Sequence, residues 1–114
     1  MQKVFMSELP NGLKLMADEH IEMAFQFEKK KRMEYIIFTN KRIVTNTGTL
    51  FTSGSFVILP YKSIARYMLD VVKFEIIVMP YADAHSEFFA GLTFRLNEVD
   101  FLEVEYVLAN KICN

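Results

Sequence analysis

Four consecutive basic residues are the first group whose types and spacing favour ligand binding: Lys29, Lys30, Lys31 and Arg32. Such a cluster attracts anions, for example phospholipid head groups or nucleic acid. Each Lys or Arg near an anionic membrane contributes about 1 kcal/mol, so four contribute about 4 kcal/mol, a dissociation constant of about 1 mM. One copy would therefore bind weakly, whereas several copies on one face of an oligomer would bind through avidity.

The surroundings of this run favour a second interpretation, a solvated turn. Glu28 and Glu34 flank it, so residues 28–34 carry four basic and two acidic side chains, a net charge of +2. Lys41 and Arg42 do not extend it, because seven strand residues at about 3.3 Å each would place them roughly 23 Å away. We favour the charged turn, which also hinders edge pairing, and keep weak anion binding as the alternative. The formal net charge of -1 argues against nucleic acid.

One short segment combines residues that bind metals or catalyse reactions. Alternation in an extended chain would place Asp83, His85 and Glu87 on one side, where they could hold a metal ion if a fourth ligand came from elsewhere. No other His or Cys is placed to complete such a set. Ser63 and Ser86 lack the surroundings of a nucleophile elbow or a glycine-rich phosphate loop. We therefore predict no catalytic residue, no metal site and no cofactor, and a chain that is not an enzyme.

Composition points instead to an interaction surface. The 114 residues fit one domain, and 52% of them are hydrophobic, with 11 Phe and 7 Met. This is slightly above the usual range, and surplus apolar side chains often form a protein–protein interface. Cys113 is the only cysteine, which excludes an intrachain disulfide and indicates a reducing compartment; we expect it to pack under a helix. With no secretory signal and no apolar run near the roughly 20 residues that span a bilayer, we predict a cytoplasmic protein.

Strand-like segments dominate the chain. From Ile21 the hydrophobic period is two, which is typical of a half-buried strand over residues 20–28. Six further segments follow at residues 35–39, 42–45, 56–59, 64–72, 74–79 and 88–96. Asn40-Lys41 marks a tight turn in which Asn tolerates a left-handed backbone, and Pro60 ends a strand because it has no N–H to donate.

The two ends of the chain differ from this pattern. Residues 1–19 are predicted as an N-terminal lead-in that covers an end or edge of the domain, and residues 20–114 as the domain itself. Val4, Phe5, Met6 and Leu9 fit one face of a short helix, and a turn at residues 10–12 follows. At the other end, Asn97 is a helix N-cap and residues 98–112 continue without Gly or Pro.

The predicted helix has two apolar stripes instead of one. Leu102, Tyr106, Ala109 and Cys113 share the first, and Phe101, Val104, Leu108 and Ile112 share the second. Covering a barrel opening requires only one stripe. The second, the residues 101, 104, 108 and 112, is the predicted interface and packs either on the N-terminal segment or on another subunit.

Two motifs resemble those of a known family, the bacterial pleckstrin-homology-like domains. The first is Phe38, Thr39, Asn40, Lys41 and Arg42 at the second turn, and the second is Pro60, Tyr61, Lys62, Ser63 and Ile64 before the fifth strand. The resemblance covers about residues 18–112. It implies a mainly β fold, α+β by count: a seven-stranded, bent antiparallel barrel capped by a C-terminal α-helix.

The same resemblance implies no catalysis and a tendency towards ring-like homo-oligomers. In eukaryotic pleckstrin-homology domains the loop between the first two strands binds phosphoinositides, and residues 29–32 occupy that loop here. We therefore predict a non-enzymatic interaction or scaffold module that self-associates and binds an unidentified protein partner. The alternative is a weak, avidity-dependent binder of anionic lipid head groups, and a metal-dependent enzyme using residues 83–87 is a remote third hypothesis.

Overall fold

The computed structural model describes residues 1–47, 55–81 and 91–113, in which eight strands form two antiparallel sheets. The first sheet has five strands in the order β1 (Gln2–Val4), β2 (Ile21–Lys29), β3 (Arg32–Thr39), β4 (Arg42–Thr45) and β5 (Val57–Pro60). The second contains β6 (Ile64–Asp70), β7 (Glu75–Pro80) and β8 (Leu92–Arg95), and helix α1 (Glu98–Ile112) follows. β2 to β8 match the seven predicted strands, and β1 is an addition.

The main core contains side chains from both sheets and from α1. Phe25 and Phe38 pack edge to face with ring centroids 6.3 Å apart, and Phe94 lies 6.2 Å from Phe38. Phe101 of α1 packs on Phe74, with centroids 5.6 Å apart. Aromatic pairs at these separations add to the stabilisation that burial alone provides. The helix thus joins the two sheets through their inner faces, as its predicted capping role requires.

The N-terminal segment does not form the predicted short helix. Gln2–Val4 instead pairs with β2 as an edge strand. Residues 5–19, here called the N-terminal strap, pass over the outer face of the five-stranded sheet and contain the predicted turn at Pro10–Gly12. Leu9 of the strap is buried against Ala24, Ile37 and Val44. The strap therefore covers a sheet face as well as an edge, which explains why β3 has a continuous apolar run instead of strict alternation.

The predicted assignment of the two helix stripes is wrong. Phe101, Val104 and Leu108 are buried in the main core, and Ile112 is partly buried against it. These four residues close the domain and do not form an interface. The N-cap prediction is confirmed: the side chain of Asn97 accepts a hydrogen bond of 2.8 Å from the N–H of Asp100.

The β2–β3 turn places two lysines in a left-handed backbone conformation. Lys29 pairs with Arg32, so the loop has two residues, Lys30 at φ 52° and Lys31 at φ 64°. Positive φ at both central positions is the geometry of a type I′ turn, which strongly favours Asn-Gly. A residue with a Cβ atom in the left-handed region costs roughly 1–2 kcal/mol. With two lysines at these positions, the turn is therefore less stable than the same turn with Asn-Gly would be.

Replacing Lys30 by Asn and Lys31 by Gly should stabilise the protein by about 1–2 kcal/mol, because both residues accept the left-handed region. Urea unfolding at neutral pH would measure the gain. Lys29→Asn is the matched control, because Lys29 lies in β2 and not at a positive-φ position. A double variant no more stable than the control would show that the turn is not strained.

Candidate functional site

The two sequence motifs meet in space at one end of the five-stranded sheet. β4 pairs with β5 so that Arg42 lies opposite Pro60. The hydroxyl of Tyr61 donates a 2.7 Å hydrogen bond to the carbonyl of Thr39, and the Tyr61 N–H donates to the Lys41 carbonyl at 3.5 Å. A short 3-10 turn at Tyr61–Ser63 turns the chain from the first sheet into the second. The motifs therefore form one structural unit.

A buried carboxylate from the N-terminal strap completes this unit. Glu19 Oε2 accepts hydrogen bonds from Thr39 Oγ1 at 2.6 Å and from Arg42 Nε at 2.8 Å. Its Oε1 accepts from Arg42 Nη2 at 3.0 Å and from the Met16 N–H at 2.9 Å. The side chain of Glu19 is 0% exposed. We call Glu19, Thr39, Arg42 and Tyr61 the signature cluster.

The turn inside the first motif is held by side chains and not by a left-handed residue. Thr39 Oγ1 accepts from the N–H groups of Lys41 and Arg42 at 3.1 and 3.0 Å. Asn40, a residue type that tolerates a left-handed backbone, does not have a positive φ here. Its Oδ1 accepts from the His20 N–H at 2.8 Å, and its Nδ2 donates to the Asp18 carbonyl at 3.0 Å. Asn40 therefore ties the turn to the strap.

Two opposing effects act on the pKa of the Glu19 carboxyl, namely burial and hydrogen bonding. Burial by itself would raise its pKa, because the charged form loses hydration. The hydrogen bonds from Arg42, Thr39 and the Met16 N–H outweigh burial and lower the pKa from 4.5 to about 2. Glu19 therefore remains charged and paired at neutral pH. A carboxylate whose two oxygens both accept hydrogen bonds from the protein in this way stabilises the fold and is not available to a ligand.

The remaining motif residues also have structural roles. Phe38 and Ile64 are buried in the main core. Ser63 Oγ donates a 2.7 Å hydrogen bond to the Pro60 carbonyl, which closes the 3-10 turn. Lys41 pairs with Asp18, with Nζ and Oδ2 3.1 Å apart. The motifs therefore identify a fold and not a binding pocket.

A comparison with models of protein families identifies the family to which the two motifs belong. The model of the bacterial PH (pleckstrin-homology) domain matches residues 15–111. The chain belongs to the bacterial PH domain family. The first 14 residues, including β1 and part of the strap, lie outside the matched range.

Solved structures support the same fold for this PH domain. A pleckstrin-homology domain protein from Shewanella loihica is 18% identical with a TM-score of 0.63, covering 85% of this chain and 82% of that one. A pleckstrin homology domain from Shewanella amazonensis is 17% identical with a TM-score of 0.52, covering 85% and 77%. No match was found among the curated proteins. The predicted mainly β, PH-like fold with a C-terminal helix is confirmed, and its described strands form two antiparallel sheets.

The four basic residues at the β2–β3 turn of the PH domain differ in whether other side chains or carbonyls already bind them. Lys29, Lys30 and Lys31 are exposed and make no ion pair within the described ranges. Arg32 instead donates from Nη2 to the Asn46 carbonyl at 2.7 Å and lies 3.5 Å from Glu34 Oε2. Three lysines, and not all four predicted residues, are therefore available to an anion.

A buried negative charge lies at the base of this turn. Glu34 is only 7% exposed, and its Oε1 has no hydrogen-bond partner in the described part of the chain. Among the described residues, its only ion pair is the 3.5 Å contact with Arg32. Since Glu34 offsets part of the positive field of the lysines, the turn is a weaker anion site than the basic run alone would be.

The remaining candidate sites receive no support from the described residues. The proposed metal segment at 83–87, including Ser86, lies outside them. Within the described ranges, no group of three His, Cys, Asp or Glu side chains is arranged to hold a metal ion. No helix there is long and apolar enough to cross a membrane. Cys113 is exposed instead of packed, with Sγ 3.8 Å from the Tyr67 hydroxyl, which donates to Glu105 at 3.0 Å.

The outward face of α1 is the surface that the sequence interpretation missed. Val99, Leu102 and Tyr106 are 69%, 59% and 71% exposed. Their spacing places them on one stripe, roughly opposite the buried one. Glu103 and Asn110 lie on that same side and are exposed. These two polar residues are the signal that identifies which of the two apolar stripes faces outward.

Protonating Glu19 should destabilise the domain in acid. Its folded-state pKa of about 2 lies below the ordinary 4.5, so the stabilisation is present above pH 4.5 and is lost as the pH falls towards 2. That difference corresponds to about 3 kcal/mol. Urea unfolding between pH 7 and pH 2 should show this loss. Glu19→Gln should cost about 3 kcal/mol at pH 7 and flatten the acid dependence.

Asp18→Asn is the control for this experiment, because Asp18 is the adjacent carboxylate but is exposed. It should change the unfolding free energy at pH 7 much less than Glu19→Gln does, because solvent screens exposed ion pairs. Equal effects of the two substitutions would show that the signature cluster does not depend on the buried pair.

Proposed function

We propose that this PH domain is a non-enzymatic interaction module that self-associates and binds a protein partner in the cytoplasm. The observation that carries the proposal is the outward face of α1, formed by Val99, Leu102 and Tyr106. Monomeric soluble proteins rarely leave large contiguous apolar surfaces exposed, and such patches often mark interaction sites. A helix that closes the core with one stripe and exposes the other can bind a partner without rearranging the fold.

The surroundings of this face indicate the chemistry of its partner. Glu98 and Glu103 lie beside the exposed stripe, and Glu103 pairs with Lys3 of β1. Phe5, which follows β1, is 93% exposed and adds another apolar side chain to the N-terminal region. A partner segment with apolar side chains flanked by basic ones would complement this face. Tyr106 offers both a ring and a hydroxyl, a combination enriched at interfaces.

A photo-reactive phenylalanine analogue at position 106 should form a defined adduct with another protein in cells of the source organism. Leu102→Glu should abolish the adduct while changing the unfolding free energy by no more than about 0.5 kcal/mol, because Leu102 is exposed. Light scattering of the purified wild type should in addition give a mass above one copy at micromolar concentration.

Lys62 is the matched control position, because it is exposed and lies in the turn between the two sheets. The analogue placed there should form no such adduct. Identical adducts from positions 62 and 106, or adducts only with other copies of the chain, would contradict binding of a partner at α1. A wild-type monomer throughout the micromolar range would contradict self-association.

A second candidate function is weak binding of anionic lipid head groups by the β2–β3 turn. The observation that favours it is the group of three exposed lysines at and beside this turn, which make no ion pair with the described residues. Each contributes about 1 kcal/mol near an anionic membrane, so one copy binds weakly and an oligomer that presents several turns binds better. The committed Arg32 and the buried Glu34 weaken this site, which is why it ranks second.

Sedimentation with phosphatidylserine vesicles tests this candidate. The wild type should bind at low salt and release at high salt, because exposed charges are screened. Replacing Lys30 by Asn and Lys31 by Gly should weaken binding by about 2 kcal/mol per copy. Lys62→Asn with Lys73→Asn removes the same charge elsewhere and should have a smaller effect. Equal loss in both double variants would exclude a specific role of the turn.

A further inference from the structure

β6 is an edge strand with no neighbour on its outer side among the described strands. It lies at one end of the order β6-β7-β8 and has seven residues. The other described edge strands are shorter: β1 has three residues, and β5 and β8 have four. An edge strand presents unpaired N–H and C=O groups to which another chain can bind. β6 therefore offers the longest such edge in the described part of the molecule.

The usual protection of an edge is incomplete on β6. A bulge lies between Ile64 and Arg66, but the ladder with β7 is regular from Arg66 to Asp70. Met68 and Leu69 within this regular part are both exposed. Natural edges are protected by charged side chains, especially lysine, and by proline. Residues 66–70 contain no lysine or proline, and their two charged residues, Arg66 and Asp70, are opposite in sign.

The regular part of β6 is complementary to itself. In an antiparallel pair of two β6 strands centred on Met68, Met68 faces Met68 of the second copy, and Tyr67 faces Leu69. Arg66 then faces Asp70 of the second copy, and the two-fold axis repeats this contact. Arg66, Met68 and Asp70 alternate along the strand, so they share one face of the sheet. On this face the arrangement brings together one apolar pair and two pairs of opposite charge, and on the other face it brings together two Tyr67–Leu69 pairs.

Both charged groups are available for this contact. Arg66 is exposed, and its described contact is from Nε to the sulfur of Met79 at 3.1 Å, a weak acceptor. Asp70 accepts the N–H groups of Val72 and Lys73 through Oδ1 alone, at 3.0 Å each. Its Oδ2 makes no hydrogen bond within the described ranges and is free to accept from a guanidinium.

We propose that β6 pairs with β6 of a second copy about a two-fold axis at Met68, which joins two three-stranded sheets into one six-stranded sheet. This inference rests on the proposed self-association and specifies its surface. Such an interface is isologous and closes on itself, so it makes a dimer. A larger ring would be built from these dimers through another surface.

Opposite charges placed at the axis test this geometry. Met68→Glu and Met68→Lys each place two like charges face to face in a homodimer, so each variant should dimerise about tenfold or more weakly than the wild type. An equimolar mixture of the two should recover dimers, because the mixed pair brings opposite charges together. Analytical ultracentrifugation across the micromolar range would measure the three masses. Met68 is exposed, so both variants should fold.

A second pair of variants tests the register independently. Arg66→Glu and Asp70→Lys are each repulsive with themselves and complementary when mixed, because residue 66 faces residue 70 across the axis. Circular dichroism should check that Asp70→Lys, which loses a turn contact, remains folded. If Asp70→Lys is unfolded, the two Met68 variants alone test the pairing of β6. Lys14→Glu, an equal charge reversal at an exposed position of the strap, should leave the dimer unchanged.

The outcomes separate the two proposals. If the wild type is an oligomer whose mass neither Met68 variant lowers, or if the mixture fails to recover it, edge pairing is wrong and self-association stands. If the wild type is larger than two copies, the variants should lower its mass and the mixture should restore it. A wild type that remains monomeric overturns both proposals.

Discussion

The charged pair between Glu19 and Arg42 is the contact on which the arrangement of the chain depends. It joins the N-terminal strap to the β3–β4 turn, and Tyr61 extends the connection to the corner between the two sheets. An unpaired charge at that depth would be strongly destabilising, so Thr39 and the Met16 N–H also donate to the carboxylate. The family motif is therefore the part of this network that lies close together in sequence.

Features that depend on neighbouring residues could be predicted from the sequence. Features that depend on contacts between distant residues could not. The alternation in β2 and the cap at Asn97 depend on neighbouring residues, so both were visible in the sequence. The partner of Arg42 lies 23 residues away, and nothing near Glu19 identifies it. The two stripes of α1 are similarly apolar, so hydrophobicity alone did not reveal which one faces the core. The sequence predicted that residues 1–19 cover an end or edge of the domain, but not that the strap crosses a sheet face, because its few apolar residues are also compatible with a short helix.

The described side chains explain why interaction is a better hypothesis than catalysis. The interior is filled by aromatic and aliphatic groups, and the buried ions of the signature cluster are all paired. Among the described residues, three accessible surfaces are candidates for binding: the outward face of α1, the edge of β6 and the lysine turn. These surfaces belong to different elements, so a partner, a second copy and an anionic membrane need not compete for the same residues.

The position of β3 determines which unfolding events expose its backbone amides to solvent. This strand is hydrogen-bonded on both sides, by β2 and β4, while the main core covers one face and the strap covers the other. Fraying of β1, the strap or β6 would leave its ladder intact. Exchange of its central amide protons with solvent deuterium therefore requires the whole domain to unfold, so their exchange rates would measure global stability under native conditions.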